Sequence, residues 1–167
     1  MSGSSFFKPV SGFELPRFAG LPTFMRLPHV GLDDPRISEV DVGIIGAPWD
    51  AGTTNRPGPR HGPRQIRDLS TMIRPQHGVT GFRPFDYKNC ADLGDVAPNP
   101  ANLEDTLSRF EGFYKRVLGY GIQPLTVGGD HLCSLPILRA FESKGPLGLI
   151  QFDSHTDLYH SYFNGQL

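Results

Sequence analysis

From about residue 40 onward, short apolar runs alternate with segments in which apolar residues recur every three or four positions. Residues 40–47 (VDVGIIGA) form a short run rich in β-branched side chains, which predicts a buried first strand. Residues 49–62 (WDAGTTNRPGPRHG) follow as a loop dense in turn residues. A helix is predicted to start at Gly62-Pro63, with Pro at its first position and Ile66, Leu69 and Ile73 on one face. Residues 91–96 (ADLGDV) read as a second strand. Asn102 then resembles an N-cap with Asp105 as its capping-box partner. The helix behind it repeats Leu103, Leu107, Phe110, Phe113, Tyr114 and Val117 and stops near Gly119 and Gly121. Phe110, Phe113 and Tyr114 are candidate core residues. Residues 124–127 make a third strand, 134–141 a third helix with Pro136 tolerated in its first turn, and 147–153 (LGLIQFD) a fourth strand. Strands alternating with helices predict an α/β fold whose mainly parallel sheet is flanked by helices.

Residues 1–38 lack any such period. Pro, Gly, Phe and Arg alternate there, and the segment reads as an extended N-terminal arm laid over the domain or over a neighbouring subunit, with Phe18, Phe24 and Met25 as packing or subunit contacts. Residues 39–167 are then one α/β domain. A length of 167 residues suits that organisation, and 38% apolar with 20% charged content marks a globular chain. A net charge of −1 gives no electrostatic reason to expect nucleic acid or a membrane surface as partner. Cys90 and Cys133 have neither metal-type spacing nor a disulfide framework, which suits a reducing compartment. The N-terminus shows no leader pattern and no run approaches membrane-spanning length, so a cytoplasmic location is expected.

Chemistry concentrates in two fragments. Phe152-Asp153-Ser154-His155-Thr156-Asp157 closes the fourth predicted strand and sets Asp, His and Asp at alternate positions. In extended backbone 153, 155 and 157 share a face. Two carboxylates and an imidazole on one face make an oxygen and nitrogen site for a divalent cation, which also removes the repulsion between the carboxylates. Upstream, Val127-Gly128-Gly129-Asp130-His131 ends the third strand in two glycines, which permit a sharp turn and close approach of the backbone. Asp130 has two readings there: orienting His131 from behind, or favouring the N-terminus of the following helix. The ends of parallel strands are where open α/β sheets build their sites. In the 52–62 loop a structural role is favoured over substrate binding by Asn55, Arg56 or His61.

These motifs carry a resemblance. Val-Gly-Gly-Asp-His at 127–131 and Phe-Asp-Ser-His-Thr-Asp at 152–157 resemble the first two metal motifs of the ureohydrolases, which include arginase, agmatinase and the guanidino-acid hydrolases. Gly46-Ala-Pro-Trp-Asp50, Gly52-Thr-Thr-Asn-Arg56, Arg60-His-Gly-Pro-Arg64 and Ala91-Asp-Leu-Gly-Asp-Val96 resemble the agmatinase branch. Leu132 and Trp49-Asp50 look closer to guanidinopropionate and guanidinobutyrate hydrolases. The resemblance covers roughly residues 15 to 167. It implies a truncated three-layer α/β/α domain and two Mn2+ ions, one held by His131, Asp153 and Asp157, the other by His155 and the shared Asp153. It implies hydrolysis of a linear guanidino compound to urea and an amine by a metal-bridging hydroxide, with agmatine the first-choice substrate and guanidinobutyrate or guanidinopropionate next. It also implies a homo-oligomer, trimer or hexamer.

The chain departs from the family in what it lacks. A third, Asp-x-Asp metal motif and the His-Gly assigned to proton transfer are not found, so no catalytic residue is identified and the proton-transfer His is expected beyond Leu167. His160 reads as a loop residue rather than a substitute shuttle. The resemblance further implies that two later strands separate the strand ending at Asp153 from the one ending at Val127. The 147–153 segment must therefore pair with 124–127 or hang free. Two readings compete with an active ureohydrolase: an inactive half-domain that binds only metal or partners, and a deacetylase-like relative using one zinc. The Asp157 continuation disfavours the second.

Overall fold

Three strands, β1 (Val42–Ala47), β2 (Cys90–Asp95) and β3 (Gln123–Gly128), lie side by side in the order β2-β1-β3, all parallel. The computed structural model describes residues 4–158, 160–162 and 165–166. Both of β1's edges are paired, with Val42 opposite Cys90 on one side and Gln123 on the other. All three strands point the same way, so the segments leaving Ala47, Asp95 and Gly128 emerge at one edge of the sheet.

Side-chain alternation divides the sheet into two faces. Ile45, Ala47, Ala91 and Leu93 pack with Phe110, Tyr114, Val117 and Leu118 of α2 (Leu103–Gly119) and with Cys133 and Ala140 at α3 (Ser134–Ala140). Tyr114 is fully buried there, and its hydroxyl lies 2.7 Å from Thr126 Oγ1 of β3. On the other face Ile44 and Cys90 pack with Phe24, Leu27 and Phe85, next to α1 (Gly62–Ser70). Helices thus flank both faces of the sheet. Asn102 caps α2 by accepting the Asp105 N–H at 2.9 Å. The reciprocal half of the expected capping box is not made, because the Asp105 carboxylate accepts instead from Asn99 and Arg109.

The segment before β1 is built from short 3-10 turns at Ser5–Phe7, Phe24–Arg26 and Pro35–Glu39 rather than from an extended arm. Phe7, Phe24, Leu27, Val30 and Ile37 are buried against the domain, while Phe18 is exposed. The anchor of this packing is Asp92 of β2. Its carboxylate takes a forked ion pair from Arg67 of α1 (2.7 and 3.0 Å) and the backbone N–H of Phe24 (3.0 Å). The Arg67 guanidinium also lies 4.1 Å over the Phe24 ring.

Two expectations fail. Residues 147–153 form no strand: Leu147, Leu149, Ile150 and Phe152 are exposed, Phe152 at 97%. A strand is stabilised by its neighbours, and among the described residues no strand pairs with this one, so the segment hangs free. The predicted face of α1 is not buried either. Ile66, Leu69 and Ile73 are exposed; the buried residues of α1 are Pro63, beside Gly46 of β1, and Ser70, whose hydroxyl accepts the Met25 N–H, while Arg67 ties the helix to Asp92 of β2. Cys90 and Cys133 are free and buried. No helix among the described residues is long and apolar enough to cross a membrane.

Candidate metal centre

His131 owes its place to backbone pairing beyond the end of β3. The Gly129 N–H donates to the Ala47 carbonyl (3.2 Å) and the Asp130 N–H to the Trp49 carbonyl (2.8 Å), which carries the β1–β3 ladder two residues past Gly128. Only glycine fits at 129, since a Cβ would overlap the carbonyl oxygens of Ala47 and Trp49. The chain then turns through His131–Cys133 into α3. Asp130 caps this turn, accepting the Leu132 N–H at 3.1 Å. Of the two sequence readings of Asp130, the cap is seen directly, and among the described residues its carboxylate makes no hydrogen bond to the His131 ring. Burial raises the Asp130 carboxyl above its ordinary range, against the pull of the N–H donors from Gly52 and Leu132.

The second fragment reaches the same place from the free segment. Asp157 Oδ2 lies 2.7 Å from His131 Nδ1, and Asp153 Oδ2 lies 3.7 Å from it. One donor atom each from His131, Asp153 and Asp157 falls within a 4.8 Å circle. His155 stands beside this trio, its Nδ1 3.8 Å from Asp153 Oδ1. Asp153 accepts the His155 backbone N–H at 3.0 Å, which with the nearby His131 holds its carboxyl below the ordinary value. The four predicted ligands are therefore neighbours, but not by the extended geometry expected. Asp157 has φ of +52°, so the alternation of 153, 155 and 157 breaks at its last member. All four side chains are exposed to solvent.

The donor set suits a hard to borderline divalent cation: carboxylate oxygen and imidazole nitrogen, with no thiolate because Cys133 is buried in the core. Three donors leave coordination positions open.

Next to His131 a cavity of about 480 Å3 is lined by Gly52, Thr53, Thr54, Asn55, Arg56, Pro59 and Asp130. The loop taken from sequence as structural therefore also forms a wall beside the candidate metal centre; His61 is exposed and does not line it. A residue that the sequence marked only as part of a family motif, with no role assigned, holds this loop. Asp50 is buried and accepts the N–H groups of Gly58 (2.7 Å) and Arg60 (3.2 Å) and the Arg60 guanidinium. Burial alone would raise its carboxyl, but these donors outweigh burial and hold it below the ordinary value. An Asp entering a loop of closely spaced glycines and prolines was the available signal. His160 is exposed.

Residues 40–167 match the model of the arginase family. A guanidinopropionase from Pseudomonas aeruginosa is 51% identical over 156 residues, which cover 93% of this chain and 48% of the relative. Among solved structures, proclavaminate amidino hydrolase from Streptomyces clavuligerus superposes with a TM-score of 0.79 at 37% identity, over 90% of this chain and 49% of that one. Formiminoglutamase with Mn2+ from Trypanosoma cruzi superposes with a TM-score of 0.60 at 25% identity, over 75% and 41%. The chain spans about half the length of the curated relatives it matches.

Proposed function

The chain belongs to the arginase family, and from that premise we propose that it carries part of the active centre of a manganese-dependent amidinohydrolase. The substrate is a linear guanidino compound, cleaved to urea and an amine. The observation that supports this reading is the convergence of His131, Asp153 and Asp157 within 4.8 Å at the strand-end edge of the sheet. Mn2+ is the favoured metal, given an oxygen-rich donor set without thiolate and the formiminoglutamase with Mn2+ among the structural relatives. In this reading His131, Asp153 and Asp157 hold one ion, and His155 with Asp153 contributes to a second.

When bound there, the cations lower the pKa of water and so supply a nucleophile at neutral pH. The chain's own groups do the rest. A guanidinium is planar, delocalised and cationic, which makes its carbon a poor electrophile. The carboxylates of Asp153 and Asp157 offset cation charge and let a positive substrate approach. The 52–59 loop borders one side of the approach. Guanidino acids are favoured over agmatine as substrates, on the 51% identity to a guanidinopropionase.

Urea release decides the matter. The product of the complete reading frame containing these residues, loaded with Mn2+, is expected to release urea from guanidinopropionate or guanidinobutyrate faster than from agmatine. Residues 1–167 alone are expected to bind Mn2+ weakly and release none, since each missing ligand or supporting partner lowers metal affinity roughly 10–100-fold. Absence of urea from every guanidino compound with the complete product would remove the reading.

A further inference from the structure

We propose that Asp130 is a positioning residue that fixes the wall of the substrate cavity by clamping the 52–56 loop to the turn bearing His131, an inference that rests on the amidinohydrolase reading for its substrate. The Asp130 carboxylate faces two structures at once. Oδ2 accepts the Gly52 N–H at 2.6 Å, across 78 residues of sequence, and Oδ1 accepts the Leu132 N–H at 3.1 Å within the His131 turn. Its own N–H donates to Trp49, three residues before Gly52. One residue thus joins the floor of the cavity, at His131, to the wall formed by residues 52–56.

The rest of the loop is tied only at its ends. Asp50 holds Gly58 and Arg60 at the far end and, through its carbonyl, Thr53 at the near end. Residues 54–57 contribute no hydrogen bond to the fold among the described residues. A loop anchored so sparsely keeps its position only as well as its anchors do, because each freed residue regains roughly 1–2 kcal/mol of conformational entropy. There is little slack at the clamp: a Cβ on Gly52 would sit 2.9 Å from Asp130 Oδ2 and 3.3 Å from the Leu132 Cβ. The carboxylate therefore sets the separation of wall and floor.

The chemistry requires a carboxylate. Both oxygens accept from backbone N–H groups, and an amide of the same shape offers one acceptor while turning its NH2 toward the other donor. Asp130→Asn must break one of the two bonds, and the cap to Leu132, although the longer of the two, closes a turn of adjacent residues, whereas the Gly52 bond spans 78 residues. The Gly52 bond is the one expected to go.

Two measurements test the clamp. In metal-free residues 1–167, Asp130→Asn should speed hydrogen exchange at the Gly52 amide about tenfold or more, as expected for losing a bond to a charged acceptor, and leave Ile45 of β1 unchanged. In the complete product, the same substitution should raise KM for guanidinobutyrate about tenfold and by more than kcat falls. Gly52→Ala, which pushes the wall outward from the opposite side, should raise KM likewise, and the two substitutions together should raise it by less than the product of their separate effects. Unchanged exchange at Gly52 would overturn the clamp. Faster exchange at Ile45 and Gly52 alike would show a general loss of stability and overturn it too. Altered exchange with unaltered KM would overturn its bearing on substrate. A wild-type product that releases no urea would remove the function itself, while the exchange measurement still reads the contact.

Discussion

The turn that carries His131 and the segment that carries Asp153, His155 and Asp157 bring ligands to one place by opposite means. The first continues a parallel ladder, fits its backbone against Ala47 and Trp49, and is capped and clamped by Asp130. The second has no strand on either side among the described residues, and its apolar side chains, Leu149, Ile150 and Phe152, face solvent. The difference teaches that a ligand motif and its platform are separate properties. Residues 127–131 carry both. Residues 152–157 carry the donors, with local contacts such as Asp153 to the His155 N–H in place of a sheet.

The largest effect that would sharpen this contrast comes from the platform's buried charge. Asp92 is buried and binds Arg67 through two bonds as well as the Phe24 N–H, joining β2, α1 and the N-terminal segment. Asp92→Asn leaves Arg67 with only the exposed Asp95 as a charged partner among the described residues. Breaking a buried pair in this way is expected to cost about 3 kcal/mol, seen as a lower midpoint of urea denaturation. Asp153→Asn, by contrast, should stay within about 0.5 kcal/mol in the metal-free protein, as surface substitutions do. Equal losses at the two positions would erase the distinction between the regions.

A smaller effect separates two glycines. Gly129→Ala forces a Cβ into the carbonyls of Ala47 and Trp49, whereas Gly148→Ala meets nothing within 4 Å. Overpacking of a close backbone contact is expected to cost about 1–3 kcal/mol, and the change at 148 close to zero. Circular dichroism melts of the two variants make the comparison, and a melt of Gly129→Ala that matches wild type would show that the ladder does not hold His131.

What the sequence showed of this molecule follows the same division. The strands β1 to β3 and helix α2 were legible because their periods are local and their partners lie among the residues at hand. The 147–153 run has the composition of a strand, but composition cannot supply the neighbours that a strand pairs with. The stripe of Ile66, Leu69 and Ile73 likewise marks a face without showing what covers it; α1 buries Pro63 and Ser70 instead and leaves that stripe exposed. At the candidate metal centre the residue types and their order were readable. Their geometry was not: the left-handed backbone at Asp157 contradicts simple alternation, and the double engagement of Asp130 depends on where a loop 78 residues away passes. Asp50 was named only as part of a family motif and its role went unread for the same reason, because its partners Gly58 and Arg60 read as turn formers until their N–H groups were seen to share one carboxylate.

The smallest effect on stability should come from the free segment itself, and it would be the more telling for being small. Replacing Leu149, Ile150 and Phe152 together by Ser removes three large apolar side chains that are 69%, 82% and 97% exposed. Burying such a side chain contributes roughly 1.5–3 kcal/mol, so three buried ones would cost several kcal/mol to lose. Exposed as they are, their loss should shift the unfolding free energy by less than about 0.5 kcal/mol per site. The soluble yield of residues 1–167 should rise, because a free apolar run with unpaired backbone is a template for intermolecular pairing. Parallel measurements of denaturation midpoint and of soluble fraction after ultracentrifugation distinguish the cases. A large fall in midpoint would mean that 147–152 is packed into the domain in solution, and the two ligand-bearing regions would then differ in sequence but not in support.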